Sequence, residues 1–371
     1  MNKLTEGYKQ TEVGVIPSDW EVKKLSDISN MKSGDSITSK RIFEIDSYPC
    51  YGGNGLRGYT SKYTHDGDYA LIGRQGALCG NVQFVMDKFF ASEHAVVVTP
   101  KTNTDIKWLY YMLIDMNLNQ YSESSAQPGL SVSKILNLPI HLPPAKAEQT
   151  AIATVLNDAD ALITQLEKLI AKKRNIKQGA MQELLKPKEG WEEKPLGQIV
   201  EFLDGKRRPI KDSDRAKMKG IYPYYGASGI IDFVNNYLFD EELILLGEDG
   251  ENIISRNQRL AFKINGKAWV NNHAHVIKPK ENIDINFLVE KLESINYEEY
   301  NSGTAQPKLN QKICVQIPIS IPKSKAEQTR IAQILSDMDA EIEALEKKLE
   351  KYKMLKQGMM QNLLTGKVRL V

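Results

Sequence analysis

Apolar residues recur at alternating spacings of four and three along two stretches of this chain. One run is Ile152, Leu156, Ala159, Ile163, Leu166, Ile170; the other is Ile331, Leu335, Met338, Ile342, Leu345, Leu349, Tyr352. This is a heptad seam, and it predicts two long helices whose apolar stripes need a partner. Each would run for about 40 residues, hence about 60 Å at 1.5 Å per residue. Ser324-x-x-Glu327 reads as a capping box opening the second helix, whereas the first has Ala145 there and must start on Pro143–Pro144 and Glu148. Pro187 should stop the first helix and Gly366 cap the second. Lys-Gln-Gly recurs inside both runs, at 177–179 and 356–358. A mid-helix glycine costs about 1 kcal/mol relative to alanine, so its recurrence suggests close backbone approach, a bend, or a frayed helix end.

Elsewhere the pattern shortens. ALIG, NVQFV and HAVVVTP read as strands followed by an amphipathic helix in IKWLYYMLIDMNL. ELILLGE, RLAFKI, HAHVIKP and INFLVEKLESI repeat that order. LPIHLPP and IPISIP read as short edge strands leading into the long helices. Strands with attached helices indicate an α+β class.

The similarity is a duplication. KAEQT stands at 146–150 and at 325–329, placing Gln149 and Gln328 179 positions apart (328 − 149). AQPGL at 126–130 matches AQPKL at 305–309, and EHAVVVTPK matches NHAHVIKPK, at the same offset. Upstream the offset is 174, where YPCYGGNG matches YPYYGASG and LIGRQG matches LLGEDG, and it is 171 between Trp20 and Trp191. The second copy therefore holds extra residues before YPYYG and after LLGEDG. If a two-fold relates the copies, the two helices run antiparallel and residue 371 returns near residue 1. A coiled coil with another protein is the alternative.

Composition narrows little. The 371 residues carry 49 basic against 47 acidic groups, so bulk charge does not announce a nucleic-acid binder. No window approaches the roughly 18 apolar residues of a membrane span, and MNKLTEGYKQTEVGV lacks a signal-peptide core. Cys50, Cys79 and Cys314 form no CxxC pair and are expected to be free thiols in a reducing cytoplasm.

Charge is concentrated locally. GKRRPIKDSDRAKMKG, residues 205–220, holds Lys206, Arg207, Arg208, Lys211, Arg215, Lys217 and Lys219 against Asp212 and Asp214. The matching region of the first copy offers Lys32, Lys40 and Arg41. The Gly-rich turns add Asn54 and Arg57 in the first copy and Ser228 in the second. Arg74 and Gln75 of LIGRQG match Glu248 and Asp249 of LLGEDG. Arginine suits guanine, Asn or Gln suits adenine, and carboxylates suit cytosine in the major groove, while lysines hold phosphates. The candidate DNA-binding set is Lys32, Lys40, Arg41, Asn54, Arg57, Arg74 and Gln75 with Lys206, Arg207, Arg208, Lys211, Lys217, Lys219 and Ser228, and the opposite chemistry of Arg74–Gln75 and Glu248–Asp249 predicts two dissimilar half-sites.

Catalytic signatures are missing. There is no NPPY or DPPF motif, no FxGxG, no GxxxxGK[ST] and no PD…ExK arrangement. His273-x-His275 has a spacing that could bind metal, but with no Cys or carboxylate cluster expected nearby it reads as a strand pair, and no metal is expected.

A Trp-led unit, a YGG turn, AQP-x-L, a strand ending in Pro, then AEQ-x-x-IA-x-x-L and a heptad helix, all twice, resembles the specificity subunit of type I restriction–modification systems. The resemblance implies two pseudo-two-fold-related target recognition domains, residues 1–143 and 187–322, joined by antiparallel coiled-coil spacers, residues 144–186 and 323–371. It implies a cytoplasmic, non-catalytic chain in which each domain reads half of a bipartite double-stranded DNA site. The helix pair would set the spacer and dock two methyltransferase subunits, with motor–nuclease subunits joining for cleavage. S-adenosylmethionine would belong to the methyltransferase alone, which methylates a flipped-out adenine. The rival readings are a protein-only coiled-coil scaffold and an enzyme with an unseen nuclease site.

Overall fold

A computed structural model describes residues 6–76, 78–123 and 128–370. Ala126 and Gln127 of the AQPGL motif lie outside the described residues, as do residues 1 and 371. Two units separate by contact: Met1–Lys168 with Lys347–Val371, and Leu169–Glu346. Each unit therefore holds one globular part, the first half of one long helix and the second half of the other.

The long helices are Lys146–Leu184 and Lys325–Leu363, 39 residues each. Within the first unit Lys356 meets Asp160 at 2.6 Å and Lys353 meets Glu167 at 3.2 Å. Within the second, Lys173 meets Glu341 at 2.6 Å and Lys177 meets Asp339 at 2.5 Å. In both units the partner's number falls as the helix advances, so the pairing is antiparallel.

The seam is buried at Ile152, Leu156, Leu166, Ile170, Ile331, Leu335, Ile342 and Leu349, and half-buried at Ile163 and Leu345. Its ends serve another purpose than helix pairing alone. Ile152 and Leu156 belong to the core of the first globular part with Trp20 and Trp108, and Ile331 and Leu335 to that of the second with Phe287 and Leu288. The first turns are thus built into the domains, because the chain leaves each domain core directly as helix.

The repeated glycines depart from one expectation. A Cβ at Gly179 or Gly358 would meet nothing within 4 Å, so no backbone approaches there among the described residues. Neither helix ends there. Gly366 does behave as a cap: it adopts φ +71°, and Pro17 and Trp20 occupy the place of its missing side chain.

Both globular parts use the same two four-stranded sheets. In the first, Ser29–Ser33, Ala95–Pro100, Tyr69–Gly73 and Val82–Val85 lie in that spatial order, all antiparallel. The second sheet orders Gly55–Thr60, Tyr48–Gly52, Lys88–Ala91 and His65–Asp66, with one parallel pairing between Tyr48–Gly52 and Lys88–Ala91. The second part repeats both orders with Val200–Phe202, Ala274–Pro279, Leu243–Gly247 and Ala261–Ile264, then Gly229–Val234, Lys219–Gly226, Lys267–Val270 and Phe239–Asp240. The Pro-flanked strands pair as expected of edges, Pro139–Leu142 with Glu21–Lys24 and Pro318–Pro322 with Trp191–Pro195. All three cysteines are free and buried.

KAEQT is the joint between domain and helix. Asp105 caps the helix Ile106–Asp115 by accepting from the amides of Lys107 and Trp108. The buried Gln149 side chain then accepts from the Asp105 amide at 2.9 Å and donates to the Pro143 carbonyl at 3.0 Å, while Thr150 Oγ1 donates to Asp105. Gln328, Thr329, Asp284 and Pro322 make the same bonds in the second copy. A buried amide with both ends bonded fixes the angle at which the helix leaves the domain.

The helix starts differ in their glutamates. Glu327 accepts from the Trp191 indole at 3.2 Å. In the first unit Trp20 has no partner for its indole N–H among the described residues, and Glu148 instead accepts from Nε and Nη2 of Arg369, which also grips Asp19 at 2.8–2.9 Å. Glu148 and then Asp19 raise the Arg369 pKa above its usual range.

Candidate nucleic-acid interface

In each unit the Gly-rich hairpin is brought against the LIGRQG or LLGEDG turn. A Cβ on Gly73 would lie 2.0 Å from the Gly53 carbonyl oxygen, and one on Gly247 would lie 2.9 Å from that of Ala227. Two glycine motifs far apart in sequence are thus halves of one contact, and only a residue without a side chain fits at Gly73. The contact gathers Asn54, Gln75 and His94 in the first unit and Ser228, Asp249 and His273 in the second.

Of the first-copy candidates, Lys32, Lys40, Arg41, Asn54, Arg57 and Gln75 are exposed. Lys40 and Arg41 form a short 3-10 turn whose continuation pairs along the hairpin, Phe43 exchanging two backbone hydrogen bonds with Tyr59 at 2.8 Å. Arg74 is half-buried and donates to Ser33 Oγ at 3.1 Å.

Of the second-copy candidates, Lys206, Arg208, Lys211, Lys217, Lys219 and Ser228 are exposed. Arg207 is not: its side chain is 14% exposed and reaches Glu248 at 2.6 Å, Asp204 at 3.4 Å and the Ala274 carbonyl at 2.8 Å. It holds the loop to the sheet from within and presents no guanidinium fork outward. Arg215 closes on Asp212 and Asp232 and stacks over the Tyr224 ring. Lys219 also binds Asp232 at 2.7 Å. With the Phe233 amide and Arg215 adding to Lys219, the Asp232 pKa falls to about 2. The loop's dense basic charge is therefore partly neutralised by its own structure.

Glu248 corrects the expectation for LLGEDG. Its side chain is 12% exposed and is held by Arg207 and by Lys308 at 3.3 Å, so it is not offered to a base edge. It belongs to a buried node around His275, which is 1% exposed at its side chain. His275 Nε2 donates to the Leu309 carbonyl at 2.8 Å, and Nδ1 meets Asp204 Oδ2 at 2.7 Å. Both ring nitrogens face acceptors, so the ring is an imidazolium. Burial alone would lower its pKa, but the Asp204 carboxylate, with Cys314 beside it, reverses that and raises it to about 10.

Asp204, Glu248 and His275 place ligand-type atoms within 4.8 Å of one another. Both histidine nitrogens there are bonded, and Arg207 and Lys308 already supply positive charge to the carboxylates. The equivalent positions in the first unit are Ser33, Arg74 and Val96. There, one arginine–serine hydrogen bond takes the place of the whole node. The members of this node lie far apart in the chain, so no sequence motif marks it.

Ile221, Ile230, Ile231 and Phe233 are exposed apolar residues on the second hairpin that the charge pattern does not single out. The signal was present at offset 174, which sets Ile231 beside Arg57. Among the described residues no helix is long and apolar enough to cross a membrane.

Comparison with known proteins agrees with this duplicated architecture. A specificity subunit of the Escherichia coli EcoprrI type I restriction enzyme is 45% identical over 163 residues, 43% of this chain and 39% of that protein. A Haemophilus influenzae relative, the putative type I specificity subunit S.HindORF215P, is 36% identical over 40% of this chain and 37% of its own length. These two matches span well under half of either relative. The MjaVIII specificity subunit of Methanocaldococcus jannaschii is 25% identical over 98% of this chain and 96% of its own length. Among solved structures, the type I restriction-modification S subunit from M. genitalium superposes with a TM-score of 0.71 at 19% identity, covering 97% of each chain. The family model for the type I restriction modification DNA specificity domain matches residues 17–178 and again residues 188–353. This chain, with its two copies of that domain and its pair of long helices, belongs to the type I restriction–modification specificity family.

Proposed function

We propose that this chain is the DNA-reading subunit of a type I restriction–modification complex. Each globular part reads one half of a bipartite, asymmetric site in the major groove. The paired helices hold the halves at a fixed spacing and dock two methyltransferase subunits, which carry S-adenosylmethionine and the chemistry; motor–nuclease subunits join them for cleavage. The chain itself works without a catalytic site, in the cytoplasm.

The observation that carries this reading is the division of labour within the repeat. The joint and the hairpin contact are kept between the copies: Gln149 matches Gln328, Asp105 matches Asp284, and Gly53 against Gly73 takes the same place as Ala227 against Gly247. Exposed positions at the hairpin tips differ: Asn54 and Arg57 against Ser228 and Ile231. A frame kept twice with different side chains at its tips suits a molecule that reads two different sequences.

The test is to co-express this chain with its methyltransferase subunit and map methylated adenines across the host genome by single-molecule sequencing. A bipartite motif with unlike halves and a fixed gap is expected. A palindromic motif, or no methylation from a stable complex of the two proteins, overturns the reading and favours a protein-only scaffold.

A further inference from the structure

Each hairpin carries a β-bulge at the same place. In the first, Cys50 pairs with Gly58 and Tyr51 with Leu56, which leaves Arg57 as the extra residue. In the second, Tyr224 pairs with Asp232 and Tyr225 with Ile230, which leaves Ile231. A bulge adds one residue to one strand and re-aims its side chain. Here the re-aimed side chain crosses to the facing strand, where a glycine makes room for it. A Cβ on Gly52 would lie 2.4 Å from Arg57 Cδ, and a Cβ on Gly226 would lie 3.2 Å from Ile231 Cγ2. The bulge and its glycine are kept in both copies, while the side chain they present changes from a cation to a branched alkane.

Neither side chain is packed away. Arg57 is exposed, and Ile231 is 54% exposed with Ile230 beside it at 50%. A stability role would favour burying such an isoleucine, not holding it on a bulge over a glycine. The loop bearing exposed Lys211 and Lys217 adjoins the same hairpin, the Met218 carbonyl accepting from the Asn235 amide at 2.7 Å. Basic groups beside an outward apolar residue match a groove that has phosphates at its rim and methyl groups on its floor. In the major groove arginine pairs with guanine O6 and N7, and the apolar feature there is the thymine 5-methyl group.

We infer that the bulge residue is a base-reading position in each unit, with Arg57 taking a guanine in one half-site and Ile231 contacting a thymine methyl in the other. This rests on the reading of the chain as a two-headed DNA reader and adds which residue reads and what it reads.

The test uses the complex of the full chain with its methyltransferase subunits and duplexes carrying its mapped site. Each thymine of the second unit's half-site is replaced in turn by uracil, which removes only the methyl group. One replacement should weaken binding roughly three- to five-fold, about the worth of one methyl group taken out of water. Ile231→Ala should bind the thymine and uracil duplexes alike, and Ile231→Arg should shift one base of that half-site while the other half stays fixed. Indifference of the wild-type complex to every uracil, with site-specific binding intact, overturns the inference and leaves the two-headed reader standing. Loss of a partner subunit from an Ile231→Asp complex, with uracil still ignored, would make the hairpin a protein contact and overturn it as well. A complex that shows no sequence preference at all overturns both.

Discussion

Lys177 Nζ lies 2.5 Å from Asp339 Oδ1, and the repeat-equivalent Lys356 Nζ lies 2.6 Å from Asp160 Oδ1. Each lysine belongs to a Lys-Gln-Gly triplet of one long helix, and each aspartate to the other long helix. The helices are thus locked in register by the same bond made twice. The surroundings differ. Lys177 also faces Glu290 at 4.0 Å, with Arg259 on the same carboxylate, whereas Asp160 accepts from Tyr111 at 2.8 Å. The Lys177 side chain is only 13% exposed, so its charge is poorly screened. Asp339→Lys should lower stability by about 1–3 kcal/mol, and adding Lys177→Asp should recover most of it, since partners in direct contact are non-additive. Urea unfolding of the two single variants and the exchanged pair reads this. Additive losses would mean that the pair does not set the register.

His275 makes the second unit sensitive to alkali. Its folded pKa of about 10 lies above the ordinary value near 6.5, so the folded state binds a proton that the unfolded chain has lost between those limits. The histidine's stabilisation should be complete below about pH 6.5 and disappear as pH rises through about 10. His275→Val, which installs the residue found at the equivalent Val96, should remove that pH dependence. It should also cost about 3 kcal/mol at neutral pH, because Asp204 loses the nearer of its two buried cations and keeps only Arg207 at 3.4 Å. Urea midpoints from pH 6 to 10 measure both effects, and a wild-type midpoint that stays flat over this interval counts against the imidazolium.

The Arg369 clamp should be the most damaging surface-reachable site in the first unit. Glu148 is 3% exposed, and removal of the guanidinium would leave its carboxylate buried and uncompensated. Arg369→Ala should destabilise by about 2–4 kcal/mol, and Glu148→Gln in that background should restore part of it by removing the stranded charge. The equivalent Glu327 is served by Trp191, so Trp191→Phe should cost less, about 1.5 kcal/mol for one hydrogen bond from a neutral donor to a carboxylate. Calorimetric transitions of the three variants decide the order.

What the sequence made legible follows from period and repetition. The heptad spacing of Ile163, Leu166 and Ile170 marks a helix whatever surrounds it, and the offset of 179 duplicated everything learned about one copy. Side-chain commitments stayed hidden because they depend on residues distant in the chain. Arg207 looked like its neighbours Lys206 and Arg208, yet only Arg207 has Glu248 and the Ala274 carbonyl within reach. Glu248 looked like a base reader for the same reason. Gly179 and Gly358 looked like points of backbone contact, and none of the described residues closes on them. Gln149 and Gln328 were visible as a motif, but their work on Asp105 and Asp284 appears only when strand, helix and loop are assembled.

The basic loop of the second unit should therefore divide into two classes of residue. Lys211 and Lys217 are exposed, and Lys217 has only a 3.9 Å pair with Asp214. If they hold phosphates, each change to alanine removes about one counterion release. The slope of log affinity against log salt then falls by roughly 0.9 per residue, with the preferred sequence unchanged. Arg207 should behave in the opposite way. Its loss leaves Asp204 and Glu248 facing His275 and Lys308 with a guanidinium missing, so Arg207→Ala should lower the unfolding free energy by about 2–3 kcal/mol. The salt slope of the molecules that remain folded should not change. Salt titrations of DNA binding, made on the complex below the unfolding transition of each variant, separate the two. A lowered slope for Arg207→Ala at unchanged stability would show that its guanidinium leaves the node to meet a phosphate.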